Sequence, residues 1–518
     1  MEALDLARWQ FGITTVYHFL FVPLTIGLSL LVAIMQTVAM RSRDAVRKDA
    51  WTRLTKFFGS MLIVNFGIGI ATGLVQEFQF GMNWSEYARF VGDVFGAPLA
   101  LEGLAAFFLE SVFLGLWIFG WGKLPEKIHL LTIWCVALGT TASAYFIVAA
   151  NSFMQHPVGA SLNPQTGRAE LDPDKGGLFA VLTNITTLAA FPHVVAGAWL
   201  VAAAFVTGVA AWHMVIHHNK AREIGLTTEE GAAHDTQART VFRPALRFGV
   251  IAMFIAGLAL VISGDLQGQI MFKQQPMKMA SAEALCETQT GADFSILTVG
   301  GPDAFAQDCS SVTHLIEIPN VTSFLATHTF DSTLQGVDQL QPQYQQQFGE
   351  TVTDVHGDTH QADYRPNLFV TYWSFRLMIG LAGFSAILAF WALWITRGRG
   401  ENARTSGSNL FRWFAVLAIP MPFLANSAGW VFTEIGRQPW VVVPNPEDPT
   451  VHLMTQQGVS PHGSATVIAS LVCFTVVYGV LAVLWFGLMR RAALKGIPIP
   501  RRDRKTQELD TPTLSFDY

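Results

Sequence analysis

Nine long apolar runs dominate the chain and restrict it to folds that cross a membrane. Most of them reach or exceed the roughly 20 residues that a helix needs to span a bilayer. The runs are Phe11–Met40, Phe57–Phe80, Ala97–Trp121, His129–Ala150, Ile185–Trp212, Val241–Ile262, Leu368–Thr396, Leu410–Thr433 and Ala465–Met489. Only 14% of the 518 residues are charged, whereas soluble domains carry about 25%. The sequence therefore predicts an all-α integral membrane protein with nine transmembrane helices.

The distribution of basic residues predicts how these helices are oriented. Lys and Arg concentrate in one alternate set of loops, as in RSRDAVRK, and again after the ninth run. Because basic loops remain cytoplasmic, we expect the N-terminus outside and the C-terminus in the cytoplasm. The basic clusters flank helix ends, which topology explains without nucleic-acid binding. The regions are helices 1–6 with short loops (1–262), a large outer loop (263–366), helices 7–9 (367–490) and a cytoplasmic tail (491–518).

Two carboxylates lie in one apolar helix, within ALEGLAAFFLES. Glu102 and Glu110 are eight residues apart, which in an α-helix gives about 12 Å of rise and an offset of about 80°. They are therefore expected to line one broad face, with Glu102 nearer the outer surface. One interpretation is a structural ion pair with another helix. The other is a proton relay, because intramembrane carboxylates are costly and usually functional; Ser111 and Ser143 could extend it.

Three potential iron ligands lie near the outer ends of different helices. They are His18 in TTVYHFLFVP, His193 in AAFPHVVAG and Met378 in YWSFRLMIG. Each alone has a simpler explanation, as a hydrogen-bonded core histidine or a packing methionine. A His and a Met at matched depth, however, form the axial pair of low-spin cytochromes. Arg376, on a different side of the Met378 helix, could neutralise a haem propionate.

The segment GWVFTEIGRQPW ends the eighth run at the outer surface. Trp430 and Glu434 are four residues apart and share a helix face, with Arg437 just beyond. These residues are explained either by a capped helix with an interfacial aromatic belt or by a cofactor site at the level of the other ligands. In the outer loop, Lys278 and Glu283 of KMASAE are, on the residues alone, interpreted as solvated charges.

The outer loop is polar, contains QLQPQYQQQ and has no strong periodicity. It carries Cys286 and Cys309, which either form a disulfide, as an oxidising compartment permits, or remain free thiols. We interpret four histidines of the inner loop as ordinary surface residues: His213, His217, His218 and His234.

Taken together, these segments resemble subunit I of cytochrome bd quinol oxidase. The resemblance extends over almost the whole membrane part and implies two four-helix bundles plus one extra helix. It also implies a heterodimer with a related second subunit, to which small accessory subunits can be added. The segments are YHFLFVPLTIGL (17–28), QEFQFGMNW (76–84), GAPLALEGLAAFFLES (96–111), AANSFMQHPVG (149–159), FRLMIG (375–380) and GWVFTEIGRQPW (429–440).

The resemblance implies two haem b groups, one low-spin and one high-spin, and one haem d. His193 and Met378 match the axial ligands of the low-spin haem b. His18 and Glu434 match ligands in the paired high-spin haem b and haem d site, and Glu102 matches a residue beside it.

Further roles are implied in the same way. Glu110 matches the carboxylate on the family's proton path, whereas Lys278 and Glu283 match loop residues implicated in quinol oxidation. Three positions match haem-contacting residues: Arg376, Trp430 and Arg437. The outer loop looks shorter than in long-loop members, and its cysteine pair is not a general family feature.

The resemblance thus implies a respiratory enzyme of the bacterial cytoplasmic membrane. Quinol would be oxidised at the outer face and O2 reduced to water with cytoplasmic protons, which generates a proton motive force without pumping. Two alternatives remain open on the sequence. A haem b membrane anchor needs only the low-spin pair, and an ion or solute transporter needs only the intramembrane carboxylates.

Overall fold

The computed structural model describes residues 2–300, 309, 312–398 and 403–499. Most of the expected cytoplasmic tail, residues 500–518, lies outside the described residues. Within them, nine helical segments are long and apolar enough to cross a membrane, which confirms the predicted number. These spans 1–9 are Ala3–Arg41, Ala45–Met82, Ser85–Phe119, Glu126–Gln155, Ile185–Ile224, Glu229–Gln274, Leu368–Ile395, Asn409–Gly436 and Ser464–Lys495.

Spans 1–6 and their connections contain ten α-helices, two π-helical segments, one 3-10 turn and one hairpin. In order they are α1 (Ala3–His18), α2 (Phe21–Arg41), α3 (Ala45–Met82), α4 (Ser85–Leu101), π-helix Glu102–Phe107, α5 (Phe108–Phe119), α6 (Glu126–Gln155), β1 (Ala160–Asn163), β2 (Arg168–Leu171), 3-10 turn Pro173–Lys175, α7 (Gly177–Leu182), α8 (Ile185–Ile224), α9 (Glu229–Gln237), π-helix Ala238–Phe242 and α10 (Arg243–Gln274).

The segment between spans 6 and 7 (residues 275–367) is called the outer region, after the side of the membrane on which it is expected. This region and spans 7–9 follow. Their elements are α11 (Pro276–Glu283), β3 (Gln289–Thr290), β4 (Phe294–Val299), β5 (Thr313–Ile318), α12 (Val321–Thr327), β6 (Thr333–Leu334), α13 (Val337–Phe348), β7 (Thr351–Thr353), β8 (Thr359–Gln361), α14 (Leu368–Ile395), α15 (Asn409–Ala418), α16 (Pro420–Gly436), β9 (Trp440–Val442), β10 (Leu453–Met454), α17 (Thr455–Gly458) and α18 (Ser464–Lys495). The strands form five two-stranded antiparallel pairs: β1–β2, β3–β6, β4–β5, β7–β8 and β9–β10.

The spans pack as two groups of four. Spans 1–4 contact one another in sequence, and span 4 closes the group against span 1; spans 5–8 repeat this arrangement. Span 9 packs against spans 1 and 2, and span 1 also packs against span 5. The predicted two four-helix bundles plus one extra helix are therefore confirmed.

The first span is interrupted, although its apolar run predicts one continuous helix. Helix α1 ends at His18 and α2 begins at Phe21. Pro23 has no N–H group to donate to the carbonyl of Phe19, which weakens the helix at that turn. At the beginning of α2, the carbonyl of Phe21 accepts a hydrogen bond from Asn65 Nδ2 at 2.8 Å. The break places His18 at a helix end within the membrane.

The sixth span is longer than predicted, so the expected boundary of the outer loop at residue 263 is wrong. Helix α10 continues through Ser263 to Gln274. Its polar end is supported by the outer region, because His328 Nε2 lies 3.1 Å from an oxygen of Asp265 and 2.8 Å from Gln269 Nε2. The apolar side chains end near Ile262, and hydropathy predicts the end of the span there. The helix continues to Gln274 because contacts with the outer region support its polar end.

The outer region is folded, although its sequence shows no strong periodicity. The glutamine-rich segment lies in α13, where Val337 and Leu340 are buried against α11. A disulfide joins Cys286 and Cys309, whose Cα atoms are 5.5 Å apart. Short strands in this region and beside it depart from the all-α prediction, although the membrane part is helical throughout.

Three of the inner-loop histidines are buried, which contradicts their interpretation as surface residues. His213, His217 and His234 are only 5%, 9% and 9% exposed. Helix α8 continues past the predicted end of its span, and α9 folds back against it. The Nδ1 atoms of His217 and His234 lie 2.7 Å apart, and Phe242 stacks on His213 and His217. His218 remains partly exposed beside Thr405.

Candidate haem and proton-transfer site

His193 is held in one orientation by the polar end of α10. Its Nδ1 lies 3.0 Å from the hydroxyl of Ser263, and that hydroxyl donates to the carbonyl of Ala259 at 2.6 Å. Because the hydroxyl proton is used there, its oxygen accepts the proton of Nδ1. The unprotonated Nε2 of His193 then remains available as a ligand. Histidines that bind metals usually donate their other ring N–H to a hydrogen-bond acceptor in this way.

His18 has the same arrangement at the break in span 1. Its Nδ1 lies 2.8 Å from the hydroxyl of Thr72, which donates to the carbonyl of Gly69 at 2.9 Å. Nε2 is again the unprotonated nitrogen. A Cβ atom at Gly73 would lie 3.2 Å from the ring carbon Cε1, so glycine keeps this side of the imidazole open.

Met378 lies against span 8 at a second glycine. A Cβ atom at Gly429 would come within 2.9 Å of the Met378 sulfur. One turn deeper, Asn426 and Gly197 bring spans 8 and 5 into contact, since a Cβ at Gly197 would meet the Asn426 side chain at 2.7 Å. His193 lies four residues from Gly197 toward the outer end of span 5, which is about 6 Å along the helix. Gly429 lies three residues from Asn426 toward the outer end of span 8, which is about 4.5 Å. Met378 and His193 therefore lie at similar depth, as the sequence predicts.

Glu434 lies near the outer end of α16 with both carboxylate oxygens engaged. Oε1 accepts from Asn151 at 2.9 Å, and Oε2 accepts from Arg437 Nη2 at 2.5 Å and Nε at 3.1 Å. One turn deeper, Trp430 contacts the ring of Phe19 at 4.9 Å between centroids. Phe19 follows His18, so this contact joins the His18 segment to the helix that carries Glu434.

Glu102 and Glu110 both face α6, which agrees with the expectation of a shared face. Ser143 donates to Glu102 at 2.6 Å, and a Cβ at Gly139 would lie 2.9 Å from the Glu110 Cβ. The π-helix Glu102–Phe107 accommodates one extra residue, so eight residues rotate about as far as seven α-helical ones. The offset between the carboxylates is then about 20° rather than the 80° of a regular α-helix. The π-helix improves their alignment.

One helix, α6, contacts Glu102, Glu110, Glu434 and Lys278. Gly139 and Ser143 face the two relay carboxylates, Asn151 donates to Glu434, and Gln155 accepts from Lys278 at 3.2 Å. Sequence reasoning did not identify Asn151 and Gln155 individually. Their signal was polar residues at intervals of eight and four in an apolar helix, from Ser143 to Gln155, a stripe about 18 Å long.

Lys278 is buried, so its interpretation as a solvated charge on residues alone is wrong. Its ammonium group donates to Gln155 Oε1 and to the carbonyl of Thr433, both at 3.2 Å, and lies over the Phe432 ring. Burial lowers the pKa of Lys278 to about 7, and Glu434 opposes this shift in part. A lysine with this pKa can exchange a proton near neutral pH.

Glu283 is also buried and forms an ion pair with Arg376, 2.6 Å from its Nη2. Burial raises the pKa of Glu283 despite the opposing effect of Arg376. The same guanidinium donates to the carbonyls of Ser295 and Ala282, at 2.7 and 3.1 Å. The structure thus places a residue expected at a haem propionate against one expected at the quinol site.

A cavity of about 160 Å³ opens beside Lys278. Its walls include Lys278, Arg437, Tyr344, Gln275 and Trp440. Among the described residues, Gln275 Oε1 and Trp440 Nε1 are buried without a hydrogen-bond partner. Such atoms carry a cost unless a ligand or water binds them. The two side chains that carry these atoms line the cavity next to a titratable lysine.

Comparison with known proteins identifies the class to which this fold and site belong. The family model "Cytochrome bd terminal oxidase subunit I" matches residues 6–497. The chain belongs to the cytochrome bd terminal oxidase subunit I family. It is 39% identical over 497 residues to "Cytochrome bd ubiquinol oxidase subunit 1" of Bacillus subtilis (strain 168), covering 96% of this chain and 94% of that one.

Two further similarities agree. "Cytochrome bd-II ubiquinol oxidase subunit 1" of Escherichia coli (strain K12) is 33% identical over 85% of this chain and 88% of its own. The structure of bd oxidase from Geobacillus thermodenitrificans matches with a TM-score of 0.76 and 25% identity, over 96% of this chain and 99% of that one. The chain is therefore a multi-pass subunit of a haem-containing respiratory quinol oxidase of the bacterial cytoplasmic membrane.

Proposed function

We propose that this chain holds two haem b groups and one haem d. His193 and Met378 bind the low-spin haem b, and His18 and Glu434 belong to the site of the high-spin haem b and haem d, beside Glu102. When bound, these groups supply electron transfer and the reduction of O2 to water. The observation that best supports this assignment is the shared arrangement of the two histidines, each with Nδ1 on a hydroxyl and Nε2 unprotonated.

Three more side chains are assigned to the surroundings of the haems: Arg376, Trp430 and Arg437. Both arginines also pair with carboxylates, Arg437 with Glu434 and Arg376 with Glu283. Each pair is largely buried, and a buried carboxylate without its partner would be strongly destabilised. The arginines therefore position the two carboxylates, and they would add positive charge beside the haems when these are bound.

Quinol is oxidised in the outer region, with its headgroup in the cavity beside Lys278. The polar side chains of Lys278 and Gln275 in the cavity wall suit the ring oxygens of a quinol, and the aromatic walls suit its ring. Oxidation releases two electrons and two protons. The ammonium form of Lys278 donates a hydrogen bond to a ring oxygen of the headgroup, and Glu283, at the end of the same short helix, is assigned to the same quinol site.

Protons for water formation enter from the cytoplasm and pass Glu110 before Glu102. Ser143 holds the Glu102 carboxylate, and α6 keeps the two carboxylates on one line. With the N-terminus outside, quinol protons leave on one side and consumed protons arrive from the other. Charge thus crosses the membrane without a pump. A haem b anchor would not need this relay, and a transporter would not need the oriented histidines.

The chain forms a heterodimer with the family's second subunit, with small accessory subunits as further partners. In spans 3 and 9, only 17% and 11% of the 18-residue apolar stretch of each span is buried within this chain. Among the exposed side chains of span 3 are Leu104 and Phe108. These spans offer apolar surface to another subunit or to lipid.

Quinol oxidation by the purified complex in proteoliposomes tests this function. We expect O2 uptake with quinol as donor and release of one proton outside per electron, because each quinol yields two of each. Release above this ratio would indicate a pump and contradict the proposed mechanism. Haem reduction by quinol without O2 uptake would instead support the electron-transfer anchor.

Substitution of Lys278 tests the quinol site through its pH dependence. The ammonium form predominates below about pH 7 and the neutral amine above it, because burial lowers the pKa. The ammonium donates more strongly to a quinol oxygen, so the KM of the native enzyme for quinol should rise as the pH passes through 7. Lys278→Met should have a higher KM that does not change there. Lys273→Met, at the same cavity, should keep the native profile; equal profiles for both variants would contradict the assignment.

Gly429→Ala tests whether the position of the Met378 sulfur matters. The new Cβ would come within 2.9 Å of that sulfur, so the thioether must move. We expect a weakened sulfur ligand and an altered visible spectrum of the low-spin haem. Gly257→Ala in α10 is the matched control, because no atom lies within 4 Å of its added Cβ. An unchanged spectrum in Gly429→Ala would argue against Met378 as a ligand.

A further inference from the structure

The β4–β5 hairpin of the outer region buries polar side chains and exposes apolar ones. Ser295 and Thr298 point inward and are 1% and 0% exposed, whereas Ile296 is 44% exposed. On the partner strand, Leu315 and Ile316 are 57% and 51% exposed. A hairpin with one face in water normally turns its apolar residues inward. Strands with apolar residues outward are typical of surfaces that face lipid.

The inward face is held by polar contacts rather than by apolar packing. The hydroxyls of Ser295 and Thr298 lie 2.5 Å apart, and Thr298 also contacts His314 Nδ1 at 2.8 Å. His314 lies 3.8 Å from the carboxylate of Glu317, the charged side chain on β5. Because these groups satisfy one another, the hairpin does not need its aliphatic residues for an internal core.

Two side chains of span 7 fix the position of the hairpin along the membrane normal, here called its height. The carbonyl of Ser295 accepts from Arg376 Nε at 2.7 Å and from the hydroxyl of Tyr372 at 3.1 Å. Arg376 lies eight residues after the first residue of α14, about 12 Å along the helix. At this height α14 still exposes apolar side chains, since Leu377 and Ile379 are each 49% exposed. The hairpin therefore stands beside the membrane part, not above it.

A second contact joins the outer region to α10, nine residues before the end of that helix. His328, at the end of α12, pairs with Asp265 of α10, and Leu266 beside it is 49% exposed. Phe330 is 59% exposed and stacks on Phe324 with ring centroids 4.8 Å apart. Aromatic side chains are enriched at this level of membrane proteins.

We propose that the aliphatic face of the β4–β5 hairpin contacts the lipid acyl chains of the outer leaflet. The hairpin lies at the interface rather than in the hydrocarbon core, because unpaired backbone groups on the outer edges of two strands would be costly there. The disulfide between Cys286 and Cys309 ties this segment to the chain that follows α11. The hairpin is thus a lipid-facing wall of the outer region, independent of the haem assignments.

Site-specific fluorescence of the complete oxidase complex in nanodiscs tests this proposal. Cys135 and Cys473, the free cysteines among the described residues, are replaced by serine, and a bimane probe is attached at Ile316→Cys. We expect quenching by phosphatidylcholine with brominated acyl chains and loss of quenching by aqueous iodide. Thr353→Cys, on exposed β7 of the outer region, is the control and should show the opposite pattern.

The other possible outcomes show whether water or protein, rather than lipid, covers the aliphatic face of the hairpin. Quenching of the Ile316→Cys probe by iodide but not by brominated lipid would show an aqueous face and overturn the proposal. Protection from both quenchers would show that a second copy or another subunit covers the face, which would also overturn it. Ile296→Cys repeats the measurement on β4 should the first variant misfold, and native quinol oxidase activity of each labelled complex verifies its fold.

Discussion

His193→Ala is expected to abolish the low-spin haem signal of the purified complex and its quinol oxidase activity. The variant removes the nitrogen that Ser263 leaves unprotonated. Activity should fall by more than about 100-fold, because loss of only a residue that orients a metal ligand typically costs 10–100-fold in metal affinity or activity. Visible spectra and haem extraction, each normalised to protein, measure the effect.

Two variants make the His193 experiment specific. Ser263→Ala leaves the ligand in place but removes its orienting partner, so an intermediate loss of haem is expected. His213→Ala is the control, because His213 lies on the same helix at the other end of the span. Its ring stacks on Phe242 and forms a hydrogen bond with the carbonyl of Ala493. It should retain full haem content. A native low-spin spectrum in His193→Ala would refute the ligand assignment.

Glu110→Gln is expected to slow O2 reduction while leaving haem content intact. Glutamine keeps the size of the side chain against Gly139 but cannot carry a proton through its carboxyl group. A positioned proton donor typically contributes about 10²–10⁴-fold to a rate, so a loss in that range should appear in the oxygen reaction. Stopped-flow mixing of the reduced complex with O2 separates this reaction from the reduction by quinol.

Reduction of the haems by quinol under anaerobic conditions should remain native in Glu110→Gln, because the relay acts after that step. Glu126→Gln provides a matched control, since Glu126 is exposed and pairs with Lys48 at the beginning of α6. It should not slow either reaction. Haem loss in Glu110→Gln without slower oxygen reduction would show a structural role and contradict the relay.

The number of spans could be predicted because lipid imposes few alternatives, whereas their grouping into two bundles was implied by the family resemblance. A backbone in the hydrocarbon core must satisfy its own hydrogen bonds, so long apolar runs become helices. Breaks within a span are less visible. Pro23 is a local signal for the end of α1 near His18, whereas the π-helix after Leu101 has no signal in composition or periodicity.

Residues whose environment depends on distant segments were the least predictable. Lys278 looks solvated in the sequence and becomes buried only because Gln155 and Thr433 come from two other helices. Ser263 looks like the first residue of a loop but orients His193 from within a helix. His217 looks like a surface residue until α9 folds over it. In each case tertiary contacts, absent from any local pattern, determine burial.

The chain's potential ligands were recognised more readily than their supports. Histidine and carboxylate in an apolar run are conspicuous because their burial is costly. Hydroxyls and amides such as Thr72 and Asn151 are cheap to bury when hydrogen-bonded and therefore attract less notice. The supporting residues were consequently found only from the geometry.

The reduced-minus-oxidised visible spectrum of the purified two-subunit complex tests the central claim most directly. Side chains of this chain are proposed to bind two haem b groups and one haem d on the outer side of the membrane. We therefore expect haem b bands together with a chlorin band of haem d, and loss of the low-spin haem b component alone in His193→Ala. Haem b bands without a chlorin band, or no haem bands, would contradict the account.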